Sequence, residues 1–269
     1  MFVTRLLTVA IALPLFIAAL LFLPQHLWAW VLLPVLAIAS WEWAVLAGYP
    51  TNARLAYAAA VVLSAVLIFH LIARPADFPV RIDVAIYALS CVFWLAVAPL
   101  WLVGRWAVRN RLLLGAAGWI ALVPMWLALV QLQTAPWALL IFLSIVWIAD
   151  TAAYLAGKQW GRRKLAPRIS PGKTWEGALG AAAAVALYYG LTLVLVPAGQ
   201  RYFEGWWGLV VFGAILMLSV EGDLFESWIK RTAGVKDSGQ ILPGHGGILD
   251  RIDGLTATMP AAALAFFLR

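Results

Sequence analysis

Residues 112–132 read LLLGAAGWIALVPMWLALVQL, a run without a single charged side chain. An α-helix needs about 20 apolar residues to cross the hydrocarbon core of a bilayer. Similar runs recur along the chain of 269 residues, which is 65% hydrophobic and 12% charged, whereas soluble domains are about 25% charged. Barrel strands would instead alternate over segments of about 10 residues. The sequence therefore predicts an all-α polytopic membrane protein with one integral membrane domain over 1–269.

The apolar segments predict about nine transmembrane helices. They cover residues 6–23, 28–47, 55–73, 84–103, 112–132, 137–156, 178–196, 206–226 and 254–268. The first could also be a signal peptide, but its apolar core is long and no clear cleavage site follows, so we interpret it as a span.

The basic residues predict the orientation of these spans. With the N-terminus in the cytoplasm, fifteen of the 19 lysines and arginines fall on the cytoplasmic side, which is the bias that membrane proteins show. We therefore expect a cytoplasmic N-terminus and an outside C-terminus. The expected location is a bacterial-type inner (plasma) membrane. The net charge of +7 is attributed to this bias and to anionic ligands, not to nucleic acid.

Charge also divides the chain into two halves. Nine of the acidic residues lie between Asp150 and Asp253. We expect an apolar half over 1–136 and a catalytic half over 137–269, with cytoplasmic loops at 157–177 and 227–253. In the apolar half, Glu42 is interpreted as an interfacial residue flanked by tryptophans. The single cysteine, Cys91, is interpreted as a small core residue, and it excludes an intramolecular disulfide.

A first polar cluster follows the sixth span, in IADTAAYLAGKQWGRRKLAPRISPGKTWEGALG at 148–180. Asp150 lies about two turns before the expected helix end at Gly157, with Tyr154 on the same face. A carboxylate at that depth usually faces a polar cavity or a partner.

The string SPGKTWEG at 170–177 completes this first cluster. Thr174 is expected to begin the next helix, whose N-terminus favours an anion. Lys173 is a candidate phosphate contact, and the alternative is a basic loop with ordinary helix caps. The string is not a P-loop, because Pro167 stands where that motif has its first glycine.

A second cluster ends the eighth span, in SVEGDLFESWIKRTAGVKD at 219–237. Asp223, Glu226 or Ser227, and Lys230 share one helical face. A surface ion pair between Glu226 and Lys230 is one interpretation, but it leaves Asp223 unexplained.

The third cluster, SWIKRTAGVKDSGQILPGHGGILDRID at 227–253, is where charge and glycine are concentrated. The glycines around His245 free the backbone to surround a phosphate with its amides. Asp250 and Asp253 suit a hard cation such as Mg²⁺, although Asp250 could also be a helix cap. Carboxylates, basic residues and glycines on one side of a membrane indicate phosphoryl or nucleotidyl transfer.

The third cluster closely resembles the signature of the phosphatidate cytidylyltransferase (CDP-diacylglycerol synthase) family. The resemblance runs from Ser227 through Lys230-Arg231, Lys236-Asp237 and Pro243-Gly244-His245-Gly246-Gly247 to Asp250 and Asp253. The patterns at 150–162 and 170–177 are also similar. Gly172 departs from the family, which commonly has a second lysine before Lys173.

This resemblance implies conversion of CTP and phosphatidic acid to CDP-diacylglycerol and pyrophosphate with Mg²⁺, at the cytoplasmic face of the membrane. It also implies a homodimer and a second cation such as K⁺. The metal ligands would be Asp223, Asp237, Asp250, Asp253 and Glu226. The catalytic set would be Asp237, Asp250, His245, Lys230, Arg231, Lys236 and Arg251. The substrate-binding set would be Lys173, Ser170, Thr174, Glu176, Ser227, Gly244, Gly246, Gly247, Asp150 and Tyr154.

Two other functions are compatible with parts of this pattern. A CTP-dependent lipid kinase, or a cytidylyltransferase for an archaeal ether lipid, would need similar groups. An ion-coupled transporter would use Asp150 and Asp223 as intramembrane ion sites, but transporters often have repeated halves, and here the halves differ in charge.

Overall fold

The computed structural model describes residues 13–72, 81–241 and 246–269, which are helical except for one small hairpin and the connecting loops. The helices are α1 Leu13–Phe22, α2 Gln25–Leu46, α3 Thr51–Ile72, α4 Ile82–Val92, α5 Ala98–Gly104, α6 Arg111–Leu132, α7 Pro136–Trp160, α8 Trp175–Leu195, α9 Pro197–Phe203, α10 Trp206–Thr232 and α11 Leu249–Phe267. A π-helical turn, Phe93–Val97, joins α4 to α5.

Seven helices of the described residues are long and apolar enough to cross a membrane: α2, α3, the continuous helix Ile82–Gly104, α6, α7, α8 and α10. They coincide with the second to eighth predicted spans, and the protein is a helical, polytopic membrane protein. Of the first predicted span, 6–23, only the short helix Leu13–Phe22 is described. The ninth corresponds to α11, which is helical over 19 residues but begins with charged residues.

Two local predictions need correction. Helix α7 continues to Trp160, beyond the predicted end at Gly157. The segment predicted as a loop over 157–177 contains two short strands, because Lys164–Ala166 (β1) and Ser170–Thr174 (β2) form an antiparallel hairpin with Lys164 opposite Thr174. The hairpin carries Lys173 back towards the helices.

Helix α6 forms the centre of the bundle and is buried along most of its length. Large aromatic side chains pack around it, and several of them find hydrogen-bond partners inside the protein, although the buried indole nitrogens of Trp94 and Trp126 have none among the described residues. Trp28 donates to the Leu129 carbonyl at 3.0 Å, and Trp43 donates to the Leu114 carbonyl at 2.7 Å. Such bonds matter because lipid offers no alternative acceptor.

Close helix contacts at glycines bring the polar residues together. A Cβ on Gly222 of α10 would lie 2.5 Å from the Asp253 carbonyl, and one on Gly177 of α8 would lie 2.7 Å from the Ala153 carbonyl. Small residues let membrane helices approach in this way. The first contact places Asp223 beside α11, and the second places the start of α8 against α7.

Candidate active site

A polar cavity of about 510 Å³ lies where the C-terminal half of α7, the hairpin, the start of α8, α10 and the start of α11 meet. The predicted site residues that line it are Asp150, Tyr154, Ser170, Lys173, Thr174, Asp223, Asp250, Arg251 and Asp253. The structure thus brings together groups from all three predicted clusters, which are separated by up to a hundred residues in sequence.

One wall of the cavity is formed by carboxylates with a lysine between them. Lys173 Nζ lies 2.7 Å from Asp223 Oδ2 and 3.4 Å from the Val220 carbonyl. The Ser227 hydroxyl donates to the other Asp223 oxygen at 3.2 Å. Burial and the neighbouring Asp223 carboxylate raise the pKa of Asp253, which precedes the apolar part of α11. A cation bound beside Asp223 and Asp253 would stabilise the ionised forms of both carboxyl groups.

A second group, buried behind the cavity, joins α10 to α11. Lys230 contacts both the Glu226 carboxylate and Asp250 Oδ1, the latter at 2.6 Å. The interpretation of Glu226 and Lys230 as a surface pair is therefore wrong, since only 2% of Glu226 and 8% of Lys230 are exposed. Breaking a buried pair costs about 3–5 kcal/mol, because the remaining charge loses its partner.

Asp250 is the most densely bonded carboxylate of the site. Its Oδ2 accepts hydrogen bonds from Gly247 N at 2.8 Å and from both the backbone N–H and the hydroxyl of Ser238, each at 3.0 Å. Burial alone raises the pKa of this carboxyl, but Lys230 and these N–H donors lower it below its ordinary value. Asp250 is therefore held as a fixed carboxylate.

The hairpin and the start of α8 are fixed by side-chain caps. The Thr174 hydroxyl accepts from Gly177 N at 3.1 Å, which confirms Thr174 as the residue that begins α8. Glu176 accepts from the backbone N–H groups of Arg162 and Arg163. Glu176 thus closes the turn after α7 and is not among the residues that line the cavity.

Some predicted residues lie apart from the cavity or outside the described residues. Arg231, Lys236 and Asp237 are exposed and do not line it, although a Cβ on Gly246 would come 3.8 Å from the Asp237 Cβ. Gly246 has a φ of 82°, which favours glycine. Gly244 and His245 fall outside the described residues, so their predicted roles stay predictions.

Glu42 is the polar residue that our sequence interpretation misplaced. It is not interfacial but 2% exposed, and it accepts hydrogen bonds from the Ser238 hydroxyl at 3.0 Å, Ile248 N at 3.1 Å and Leu249 N at 2.8 Å. The signal was present in the sequence, since a carboxylate within an apolar span usually has a partner. Ser238 was missed as well.

The cavity offers the oxygen ligands that Mg²⁺ prefers. Within residues 13–72, 81–241 and 246–269, no three acidic, histidine or cysteine side chains are arranged as a ready metal cage. Mg²⁺ is, however, commonly held by one or two carboxylates together with water and substrate phosphates. Asp223 and Asp253, adjacent on the cavity wall, fit that requirement.

The fold and the site define an integral membrane protein with a cavity suited to phosphorylated ligands and a cation. The chain belongs to the cytidylyltransferase family, whose model matches residues 3–268. It is 39% identical to the phosphatidate cytidylyltransferase of Pseudomonas aeruginosa over 96% of this chain and 94% of that protein. Enzymes of the same name from Brucella suis and Haemophilus influenzae are 51% and 44% identical over 47% and 48% of this chain, and 45% of each enzyme.

Proposed function

We propose that this protein is a phosphatidate cytidylyltransferase, which converts CTP and phosphatidic acid to CDP-diacylglycerol and pyrophosphate. The observation that carries the proposal is the near full-length similarity to an enzyme of that name. The cavity supports it, because lysine, arginine and carboxylate groups meet there at the end of membrane-spanning helices. A nucleotide could reach such a site from water and a lipid could reach it from the bilayer.

In the proposed reaction, a phosphate oxygen of the lipid attacks the α-phosphorus of CTP. A new P–O bond forms, the bond between the α-phosphorus and the bridging oxygen breaks, and pyrophosphate leaves with that electron pair. The attacking phosphate is anionic near neutral pH, so this site needs no strong general base. Catalysis would come from positioning and charge neutralisation.

The position of each residue in or beside the cavity indicates its proposed role in binding or positioning. Lys173 and Arg251 would bind phosphate oxygens, and Lys173 would exchange its contact with Asp223 for one with the substrate. Backbone N–H groups at the start of α8 favour the same negative charge. Lys230 is buried between Glu226 and Asp250, so we assign it to holding Asp250 in place.

Asp223 and Asp253 would hold Mg²⁺, which supplies neutralisation of the charge that develops on the triphosphate. Asp250 already accepts bonds on both of its oxygens, and Glu226 is enclosed with Lys230. Asp237 is exposed outside the cavity lining. These three remain ligand candidates of lower rank, and a second cation such as K⁺ is supported by the family resemblance alone.

We further propose nine spans, with the N-terminus and the cavity on the cytoplasmic side of a bacterial-type inner membrane and the C-terminus outside. The distribution of lysine and arginine supports this orientation. Helix α11 would supply the ninth span, and the segment before Phe22 would complete the first. A homodimer is proposed on the family resemblance.

The test uses purified protein in detergent with phosphatidic acid, cytidine-labelled CTP and Mg²⁺. We expect label in the lipid phase and pyrophosphate in equal amounts, and loss of both products in EDTA. An unlabelled lipid with CDP released would identify a CTP-dependent lipid kinase instead. If folded, lipid-supplied protein forms none of these products, the assignment is wrong and an ion-coupled transporter becomes the better hypothesis.

A further inference from the structure

Glu42 is a buried acidic residue of α2 whose hydrogen-bond partners lie in the C-terminal half of the chain. Its carboxylate accepts bonds from Ser238, Ile248 and Leu249, which are about 200 residues later in sequence, as the separations of 196, 206 and 207 show. A carboxylate this deep in an apolar bundle is costly unless its hydrogen bonds are made. Among the described residues, these bonds come from the chain on either side of residues 242–245.

Two of these donors are backbone N–H groups at the beginning of α11. The first N–H groups of a helix have no acceptor within the helix, and a carboxylate there satisfies them and complements the helix dipole. Glu42 therefore caps α11 from another helix, in place of a cap residue of its own, since Ile248 makes no side-chain cap. The cap fixes α11 one turn before Asp253.

Ser238 connects Glu42 to Asp250. Its hydroxyl lies 3.0 Å from Glu42 Oε2 and 3.0 Å from Asp250 Oδ2. A hydroxyl carries one proton, so it donates to one carboxylate at a time, while the Ser238 backbone N–H keeps its bond to Asp250. Glu42 thus contacts Ser238, which in turn bonds to Asp250.

The glycines around Glu42 show that the space is filled by its carboxylate. A Cβ added to Gly239 or to Gly247 would collide with the Glu42 carboxylate, and the Cβ on Gly247 would lie 2.5 Å from Glu42 Oε2. The two chain segments, 238–239 and 247–249, can therefore close around Glu42 only because they present glycine to it.

We propose that Glu42 is a positioning residue for the cytidylyl-transfer site: its carboxylate fixes Ser238 and the first turn of α11, and so holds Asp250 in the cavity. The inference rests on the proposed function for its kinetic consequence. Its structural consequence can be measured without substrate.

The experiment compares Glu42→Ala, Glu42→Gln and Ser40→Ala in the full-length protein in detergent. Ser40 is a matched control, because it is also buried on α2 and its hydroxyl donates to the Leu36 carbonyl of the same helix. Hydrogen exchange is followed in peptides covering 246–253, and turnover is measured with CTP and phosphatidic acid.

For Glu42→Ala we expect faster exchange confined to 246–253 and a kcat about 10–100-fold lower, because a small misplacement of reacting groups costs on that order. KM for CTP should change by less than about twofold, as for a residue that does not bind substrate. Glu42→Gln keeps one acceptor oxygen and should be intermediate. Ser40→Ala should match the wild type.

Wild-type exchange at 246–253 in both Glu42 variants would overturn the inference, as would wild-type kcat in Glu42→Ala. Faster exchange throughout the protein would also contradict it, since Glu42 would then serve general stability. If Glu42→Ala does not fold, hydrogen exchange at 246–253 and kcat in Glu42→Gln decide whether the inference holds. An inactive wild type would count against the proposed function, and the exchange measurement would still decide whether Glu42 holds this region.

Discussion

At the scale of single residues, the contact between Lys173 and Asp223 shows how this site can be poised before substrate binds. The two atoms lie 2.7 Å apart on the cavity wall. Asp223 holds Lys173 near the proposed phosphate position. Lys173 in turn holds Asp223 beside Asp253, near the proposed cation position. Each partner prevents the other from being an isolated charge in a membrane protein.

Asp223→Asn should lower kcat by about 100–1,000-fold, because removing one group that stabilises developing charge has effects of that size. The variant should also require more Mg²⁺ for half-maximal turnover, which a Mg²⁺ titration of the initial rate measures. Arg163→Ala serves as the control, since that side chain is exposed and the hydrogen bond of Arg163 to Glu176 comes from its backbone N–H, which the substitution keeps. Unchanged Mg²⁺ dependence in Asp223→Asn would remove Asp223 from the proposed ligands.

Asp250→Asn should lower kcat by about 100-fold, since it replaces a carboxylate that accepts from Lys230, Ser238 and Gly247 with a group that has one acceptor and one donor end. Initial rates at saturating CTP measure the loss. Full activity in a folded variant would show that neither ligation nor positioning requires this carboxylate.

At the scale of the helices, close packing at small residues sets the cavity. A Cβ on Gly180 of α8 would collide with the Ala156 Cβ of α7. These two helices and the hairpin between them carry Asp150 and Lys173, so their separation determines the width of the cavity.

Gly180→Leu should therefore destabilise the protein by about 1–3 kcal/mol, as overpacking usually does, and should lower activity together with stability. Thermal unfolding in detergent measures the first effect. The control is Gly190→Leu on the same helix, where a Cβ would meet no atom within 4 Å. Equal stability of the two variants would show that α7 and α8 can separate freely.

The helices also show what the sequence could predict. Seven of the nine predicted spans coincide with long apolar helices, because length and composition are local properties, and Thr174 was recognised as a helix start because a cap depends on its neighbours. The hairpin was missed, since its strands are 3 and 5 residues long. Glu42 was misplaced because its partners come from α11 and from Ser238, and no local pattern indicates a contact across about 200 residues.

The same limit applies inside the predicted site. The three clusters were found from charge and glycine, and the structure brings most of their members to one cavity. The spacing of these residues in the sequence did not, however, predict which side chains contact each other. The i,i+4 spacing of Glu226 and Lys230 left a surface pair open as one interpretation, whereas α11 covers that pair and adds Asp250 to it.

At the scale of the whole molecule, the remaining question is which side of the membrane the cavity faces. The residues between α7 and α8 are rich in arginine and lysine, and they are separated from Glu204 by α8, one of the seven helices able to span a bilayer. The loop at 162–174 and Glu204, which lies between α9 and α10, should therefore be on opposite sides. The positive-inside bias assigns the loop to the cytoplasm.

Single-cysteine labelling tests this orientation, because Cys91 is the only native cysteine. In a Cys91→Ser background, Arg163→Cys and Glu204→Cys each introduce a thiol at an exposed position. A membrane-impermeant maleimide added to right-side-out vesicles should label Glu204→Cys alone, and in inverted vesicles it should label Arg163→Cys alone. Intact inverted vesicles should turn over added CTP and right-side-out vesicles should not, as for the labelling of Arg163→Cys, because the hairpin that begins next to Arg163 lines the cavity. Labelling of both positions from one side would contradict the span assigned to α8. A reversed labelling pattern would place the cavity on the outer side of the membrane, where cytoplasmic CTP could not reach it.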